Sequence, residues 1–426
     1  MKTNIKRILA CFCAVLFSIS ISPSLLGEAP SIDILEITPE TKNLYLLRVE
    51  HYLDLHATET TDTFTVTYAF PPDYGYQVPI LLDIHNDSTA EIIDYGIDHD
   101  AIEPNRVANF TIASMQKDAH ELIHFSVWVL VEAFDFSDVP KDIPLPISKN
   151  DNPEETWMWL SRSEMVQTHR ILIKRQAHAL EGFNDNVLSY AKNISLFIKN
   201  HRYGFFLLQL WTRAFFKQDA LTTLLINGEN VGRAHLACAL FRTNYIPARV
   251  ILANNDQGFW TQMHYMVEYY INGYGWVLLD STKGITPYPT QRQVINRICS
   301  IDDESDTKKD YIYRFMKGEE RWIWVSDDTI EPFYDDCDSG SKSQMFTEMM
   351  VSMKPFAADY AFFRTQNMFH QYERFLGAEL STSDQQHVNN ALMYQKAAVT
   401  TLMETEDIND YTYYIEKAYD EYKEIE

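Results

Sequence analysis

The chain has 426 residues, 46% of them hydrophobic and 13% aromatic, with a formal net charge of −24. This length allows two or three domains, and the apolar content allows a large buried core, which argues against a disordered chain. The acidic excess repels phosphate backbones, so nucleic acid and anionic membrane surfaces are poor partners.

Lys2, Lys6 and Arg7 precede an apolar run from Ile8 to Ile21. That run is shorter than the roughly 20 residues a membrane helix needs. Small residues follow between Ser24 and Ala29, and the whole of 1–28 reads as a secretory signal peptide. The expected location is secreted or periplasmic, with an uncleaved membrane anchor as the alternative. No transmembrane segment is expected in the mature chain. Cleavage would remove Cys11 and Cys13 and leave Cys238, Cys299 and Cys337. Cys299 and Cys337 either pair in an oxidising compartment or remain free thiols.

From 38 to 136 the pattern is β. Phe64, Val66, Tyr68 and Phe70 alternate with Thr63, Thr65, Thr67 and Ala69, and Ile123, Phe125, Val127, Val129 and Val131 alternate further on. Val78 to Ile84 and Val107 to Ile112 add further strands. A period of two turns one face of each strand inward, and several such strands predict a β-sandwich. Asp135 to Glu155, with Pro140, Pro144, Pro146 and Pro153, reads as a linker. Helical spacing then takes over. Val166, Arg170, Ile173, Ala177 and Leu180 form one stripe, and Val187, Ala191, Ile194 and Ile198 a second. Asp302 to Asp310 reads as a charged loop, and Trp322, Trp324 and Phe333 lie in a mixed aromatic and acidic stretch. Tyr411, Ile415, Ala418 and Tyr422 predict a terminal amphipathic helix docked through its tyrosines.

Three segments carry the chemistry. Gly228-Glu229-Asn230-Val231-Gly232-Arg233-Ala234-His235-Leu236 runs on through Arg242 to Ile246-Pro247-Ala248-Arg249-Val250. His264-Tyr265-Met266-Val267-Glu268 follows, and then Gly273-Tyr274-Gly275-Trp276-Val277-Leu278-Leu279-Asp280. Asn272-Gly273 is a strong hairpin signal between them, which places His264 and Asp280 on adjacent antiparallel strands.

In this order the segments resemble the transglutaminase-like superfamily of papain-like cysteine hydrolases, over roughly 155–285. The resemblance implies a cysteine opening a buried helix, where the helix N-terminus stabilises thiolate. It implies a histidine that takes the thiol proton and an aspartate that holds the imidazole in one tautomer. His264 and Asp280 fall on the last two positions. Asn230 falls on the cysteine's position, and an amide is no nucleophile at neutral pH. Cys238 lies two turns further along the same helix in an apolar run and reads as a buried packing residue. Asn230 reads as the helix N-cap. Trp276 is expected beside the cleft, and Arg242 and Arg249 as structural anchors.

The expected fold class is therefore α+β: a sandwich over 38–136, a transglutaminase-like domain over 155–300, and a C-terminal extension over 301–426, mixed and then helical. The resemblance implies no cofactor. No metal-ligand spacing stands out, since His169 and His178 fall on different faces of their helix. The leading functional expectation is a pseudoenzyme that binds a peptide, protein or glycan in the cleft or scaffolds a partner. The alternative is an active amide hydrolase or acyl transferase with another nucleophile.

Overall fold

The computed structural model describes residues 41–425, apart from 58–59, 183, 185, 202–216, 256–261, 307–316, 319–323, 327–328 and 333–340. The expected signal peptide, Trp322, Phe333 and Cys337 lie outside the described residues.

Alternating side chains first build two sheets. β1 (Lys42–His56), β2 (Phe64–Phe70), β3 (Gln77–Ile84), β4 (Ile92–His99), β5 (Arg106–Ile112) and β6 (His120–Glu132) follow one another along the chain. β2 and β5 bury every second residue for much of their length. One sheet has the order β14-β1-β6-β3 and the other β11-β2-β5-β4, where β11 is Lys317–Gly318 and β14 is Ser341–Met353. Their inner faces meet through aromatic rings. Phe125 lies 5.0 Å from Phe110 and 6.1 Å from Tyr68, and His51 lies 5.1 Å from Tyr68. This is a β-sandwich, and its first sheet is completed by a strand from the far end of the chain.

The proline-rich segment after β6 is tied down along its length. Tyr274 donates to Asp138 at 2.7 Å, Val187 N–H to Ile143 O at 2.9 Å, and Asn272 to Asp151 O at 2.9 Å. Among the described residues four helices follow: α1 (Ile171–Glu181), α2 (Val187–Asn200), α3 (Ala220–Leu225) and α4 (Asn230–Thr243). α1 starts after Arg170, so Val166 and Arg170 lie outside the helix predicted to carry them. The third sheet has the order β10-β7-β8-β9, with β7 (Ala248–Asn255), β8 (Gln262–Ile271), β9 (Gly275–Leu279) and β10 (Gln293–Ile298). α4 packs against α1, α2, α3, β7 and β8. Every residue from Val231 to Arg242 is buried, as expected of a helix enclosed on all sides.

Gly232 makes that enclosure possible. A Cβ there would lie 2.6 Å from both Gln218 Oε1 and Thr223 Oγ1, two buried side chains. Gln218 Oε1 also accepts the Glu229 N–H at 2.9 Å. Gly232→Ala is therefore expected to destabilise the fold by about 1–3 kcal/mol, the usual cost of overpacking. A urea unfolding midpoint equal to that of the unchanged chain would show that Gln218 moves aside freely.

The charged stretch expected as a loop begins as a helix, α5 (Ile301–Asp306). Two of its acids find buried partners: Asp303 meets Arg297 at 3.0 Å, and Glu304 forms a fully enclosed pair with Arg242. After the small pair β12 (Trp324–Ser326) and β13 (Thr329–Pro332) comes β14. The chain ends in α6 (Pro355–Phe375), α7 (Thr382–Thr405) and α8 (Ile408–Lys423). Tyr411 and Tyr422 are buried, with Tyr422 O–H donating to Gln395 at 2.8 Å, so the terminal helix docks through its tyrosines. Tyr372 accepts the Leu82 N–H at 3.0 Å and fastens α6 to β3. The fold is α+β. Among the described residues no helix is long and apolar enough to cross a membrane.

Candidate active site

The hairpin β8–β9 sets the centre of the site. Its loop is Asn272-Gly273-Tyr274, closed by Tyr274 N–H to Ile271 O at 3.0 Å. Gly273 takes φ 77°, a left-handed value that glycine adopts without strain. The register runs Ile271↔Gly275 to Val267↔Leu279. Continued by one residue it sets Asp280 opposite Met266, so His264 and Asp280 are diagonal neighbours on one face.

The structure brings these two together. His264 Nε2 lies 3.2 Å from Asp280 Oδ2, with both side chains buried. Neither atom makes a well-aligned hydrogen bond, so the contact is Coulombic more than directional. The other carboxylate oxygen, Oδ1, accepts the N–H groups of Thr282 and Lys283, each at 2.9 Å. Burial pushes the Asp280 carboxyl upward, but His264, the Lys283 ammonium and the Lys283 N–H outweigh it and hold the pKa below the usual range. Asp280 is thus a fixed carboxylate aimed at Nε2, which leaves Nδ1 as the ring nitrogen available for proton transfer.

Asn230 opens α4, which packs against the strand carrying His264. It is not the cap, contrary to expectation. Glu229 holds the N-cap position, and no side chain makes a capping hydrogen bond there. Asn230 is the first helical residue, one position past the cap. Arg233 turns back instead, donating from Nε to Gly228 O at 3.0 Å.

The two arginines of the motif are structural. Arg242 donates from Nε to Ala248 O at 2.8 Å and from Nη1 to Ser161 O at 2.8 Å and Glu304 at 3.1 Å. Arg249 donates to Glu268 at 2.7 Å and to the Tyr74 hydroxyl. Its guanidinium lies 3.9 Å from the centre of the Trp276 ring. Trp276 also meets Tyr270, its partner across the hairpin, at 5.3 Å. It therefore sits at the turn end of β9, four residues from Asp280, and serves as the platform for Arg249.

No other described thiol is fit for nucleophilic work. Cys238 and Cys299 are free, buried, and pushed to higher pKa by burial. A cavity of about 520 Å³ opens at the opposite end of α4, lined by Lys149, Arg162, His169, Lys174 and Arg242 among others. It lies beyond the C-terminus of the helix whose N-terminus carries Asn230.

His235, inside α4, was not singled out by the motif. It is wholly buried, its Nδ1–H donates to Gln218 O at 2.6 Å, and burial pushes its pKa down to about 4. His51 in β1 is likewise pushed down to about 3 by burial. Both stay neutral in the folded chain where an unfolded histidine, with a pKa near 6.5, takes up a proton. Stability is therefore expected to fall as pH drops below about 6.5, by up to about 1.4 kcal/mol per pH unit for each histidine. The loss levels off for His235 near pH 4 and for His51 near pH 3. Urea midpoints at pH 7.5, 5.5 and 4.5 measure this, and a His235→Gln chain should show a shallower slope. Equal slopes would mean that His235 is not held neutral.

Comparison with known proteins agrees with the hairpin and helix. Residues 176–281 match the family model of the transglutaminase-like superfamily. The chain contains a transglutaminase-like domain over that segment, with α4, His264 and Asp280 inside it. The crystal structure of a candidate cysteine protease from Cytophaga hutchinsonii resembles the chain at a TM-score of 0.47 and 17% identity, covering 72% of this chain and 99% of that one. No curated protein matches the sequence.

Proposed function

We propose that this chain is an exported transglutaminase-like pseudoenzyme, which uses its papain-like domain to hold a peptide-like or glycan-like ligand or a partner protein without turning it over. One observation supports this above the others. The buried His264–Asp280 pair is in place, while the helix start that would present the thiol carries the amide of Asn230. The two described cysteines are enclosed, with thiols held protonated. Export rests on the basic and apolar N-terminal run.

The purified chain should neither release ammonia from glutaminyl peptides, nor couple them to a fluorescent amine, nor hydrolyse peptide bonds. It should still retain members of an immobilised peptide or glycan array. Turnover that disappears in His264→Ala would instead establish an amide hydrolase or acyl transferase with a non-cysteine nucleophile. Absence of both turnover and retention would leave the fold as a scaffold.

A further inference from the structure

The outer face of the sandwich's first sheet carries a second constellation, far in sequence from the transglutaminase-like segment. Glu50 on β1, His124 on β6 and His85 just after β3 each offer one ligand atom, and these atoms lie within 4.8 Å of one another. The strands β1, β6 and β3 are hydrogen-bonded neighbours. In the register Glu50 faces Ser126 and Tyr52 faces His124, while His85 N–H donates to His124 O at 2.9 Å. All of these side chains therefore share one face, positioned by the ladder of a central sheet, the rigid kind of support a ligand set needs.

Each of the three has an outer partner of the kind that orients a metal ligand. His124 Nδ1 lies 2.6 Å from Asp87 Oδ1. A carboxylate oxygen accepts at that distance, so Nδ1 donates and Nε2 carries the lone pair. His85 Nε2 lies 2.6 Å from Ser126 Oγ, which leaves its Nδ1 for coordination. Tyr52 O–H donates to Glu50 Oε2 at 2.8 Å, and the Tyr52 ring stacks on His124 at 4.2 Å.

The decisive atom is His124 Nε2. The ring is buried, yet Nε2 makes no hydrogen bond. Glu50 Oε2 is nearby, but at 3.9 Å it is too distant to accept one. A buried polar atom without a partner is costly unless something else satisfies it. A simple charge cluster accounts poorly for this. The His85 and His124 rings stack face to face at 4.0 Å. Glu50 Oε1 has Arg48 Nε at 3.5 Å, but that guanidinium makes its shorter pair with Glu348, at 3.0 Å.

We propose that Glu50, His85 and His124 bind one divalent ion of the zinc type. Two imidazole nitrogens and one carboxylate oxygen form a donor set that suits Zn²⁺ and leaves a fourth position for water. The hard ions Ca²⁺ and Mg²⁺ prefer all-oxygen sites. A tetrahedral zinc site with bonds of about 2.0–2.1 Å sets its ligand atoms roughly 3.3 Å apart, so binding requires the parallel His85 and His124 rings to turn until both lone pairs face the ion. Asp87 and Ser126 are positioning residues that fix the tautomers of the two histidines.

The full chain, freed of any purification tag, is titrated with Zn²⁺ against a chromophoric chelator, and with Co²⁺ by visible absorption. One equivalent should bind per chain, with the intense bands of four-coordinate cobalt. His124→Ala and Glu50→Gln should abolish that equivalent, and Asp87→Asn should weaken it by about 10–100-fold. Excess zinc should raise the melting temperature of the unchanged chain but not that of Glu50→Gln. Circular dichroism establishes that each variant is folded. If His124→Ala does not fold, Glu50→Gln and Asp87→Asn decide the matter. The proposal is overturned if the unchanged chain takes up no equivalent, or if the folded variants bind zinc as tightly as it does.

Discussion

Asn230→Cys is expected to turn an inert position into a reactive thiol. The residue opens a helix of 14 residues, Asn230–Thr243. The partial positive charge of that end favours thiolate over thiol, and an imidazolium adds to the effect. Thiols so placed have pKa values of about 3.5–7.5, against about 8.5 for free cysteine. Iodoacetamide should therefore modify the new cysteine at pH 7 about ten-fold faster than a model thiol. The background is clean once Cys11, Cys13 and Cys337 are changed to serine, because Cys238 and Cys299 are buried. Adding His264→Ala should slow the reaction and move its pH midpoint up toward that of free cysteine. If the new thiol reacted no faster than free cysteine, with or without His264, Asn230 would not stand where the family keeps its nucleophile. Peptide turnover by the same variant is a weaker measure, since a missing oxyanion hole alone costs about 3–4 kcal/mol.

The largest loss of stability should come from Arg242→Met. Its guanidinium is fully enclosed with the Glu304 carboxylate, and it also holds Ala248 O and Ser161 O. Glu304 is buried and its carboxyl is already pushed upward by burial, so removing the arginine takes away its buried countercharge. Breaking one side of a buried ion pair costs about 3–5 kcal/mol, and urea unfolding should show a loss of that size. Arg242→Met with Glu304→Leu should recover a large part of it, because the stranded charge is gone. Recovery stays partial, since the two carbonyl groups lose their donor. A cost below about 1 kcal/mol for the single change would mean that Glu304 protonates and is satisfied elsewhere.

The amino-acid sequence by itself determined the strands β2, β3, β5 and β6, the helix α2, the β8–β9 hairpin and the pairing of His264 with Asp280. Each depends on residues a few positions apart: a period of two, a period of 3.6, or a glycine free to take positive φ. The motif order pointed to structural roles for Arg242 and Arg249, and within the same stretch they hold Ala248 O and Glu268. Only the tertiary structure decided the rest. Asp302 to Asp310 read as a charged loop, and Arg297 and Arg242 supply the buried partners of Asp303 and Glu304 that turn its start into a helix. Asn230 read as the cap, but Glu229 holds the N-cap position and Asn230 is the first helical residue. β14 joins β1 from about 300 residues further along the chain, and Glu50, His85 and His124 come from β1, from the end of β3 and from β6 with no spacing to mark them. Such contacts are fixed by which sheets and faces meet when the core closes. That outcome is a property of the whole packed chain, and no local window of sequence contains it.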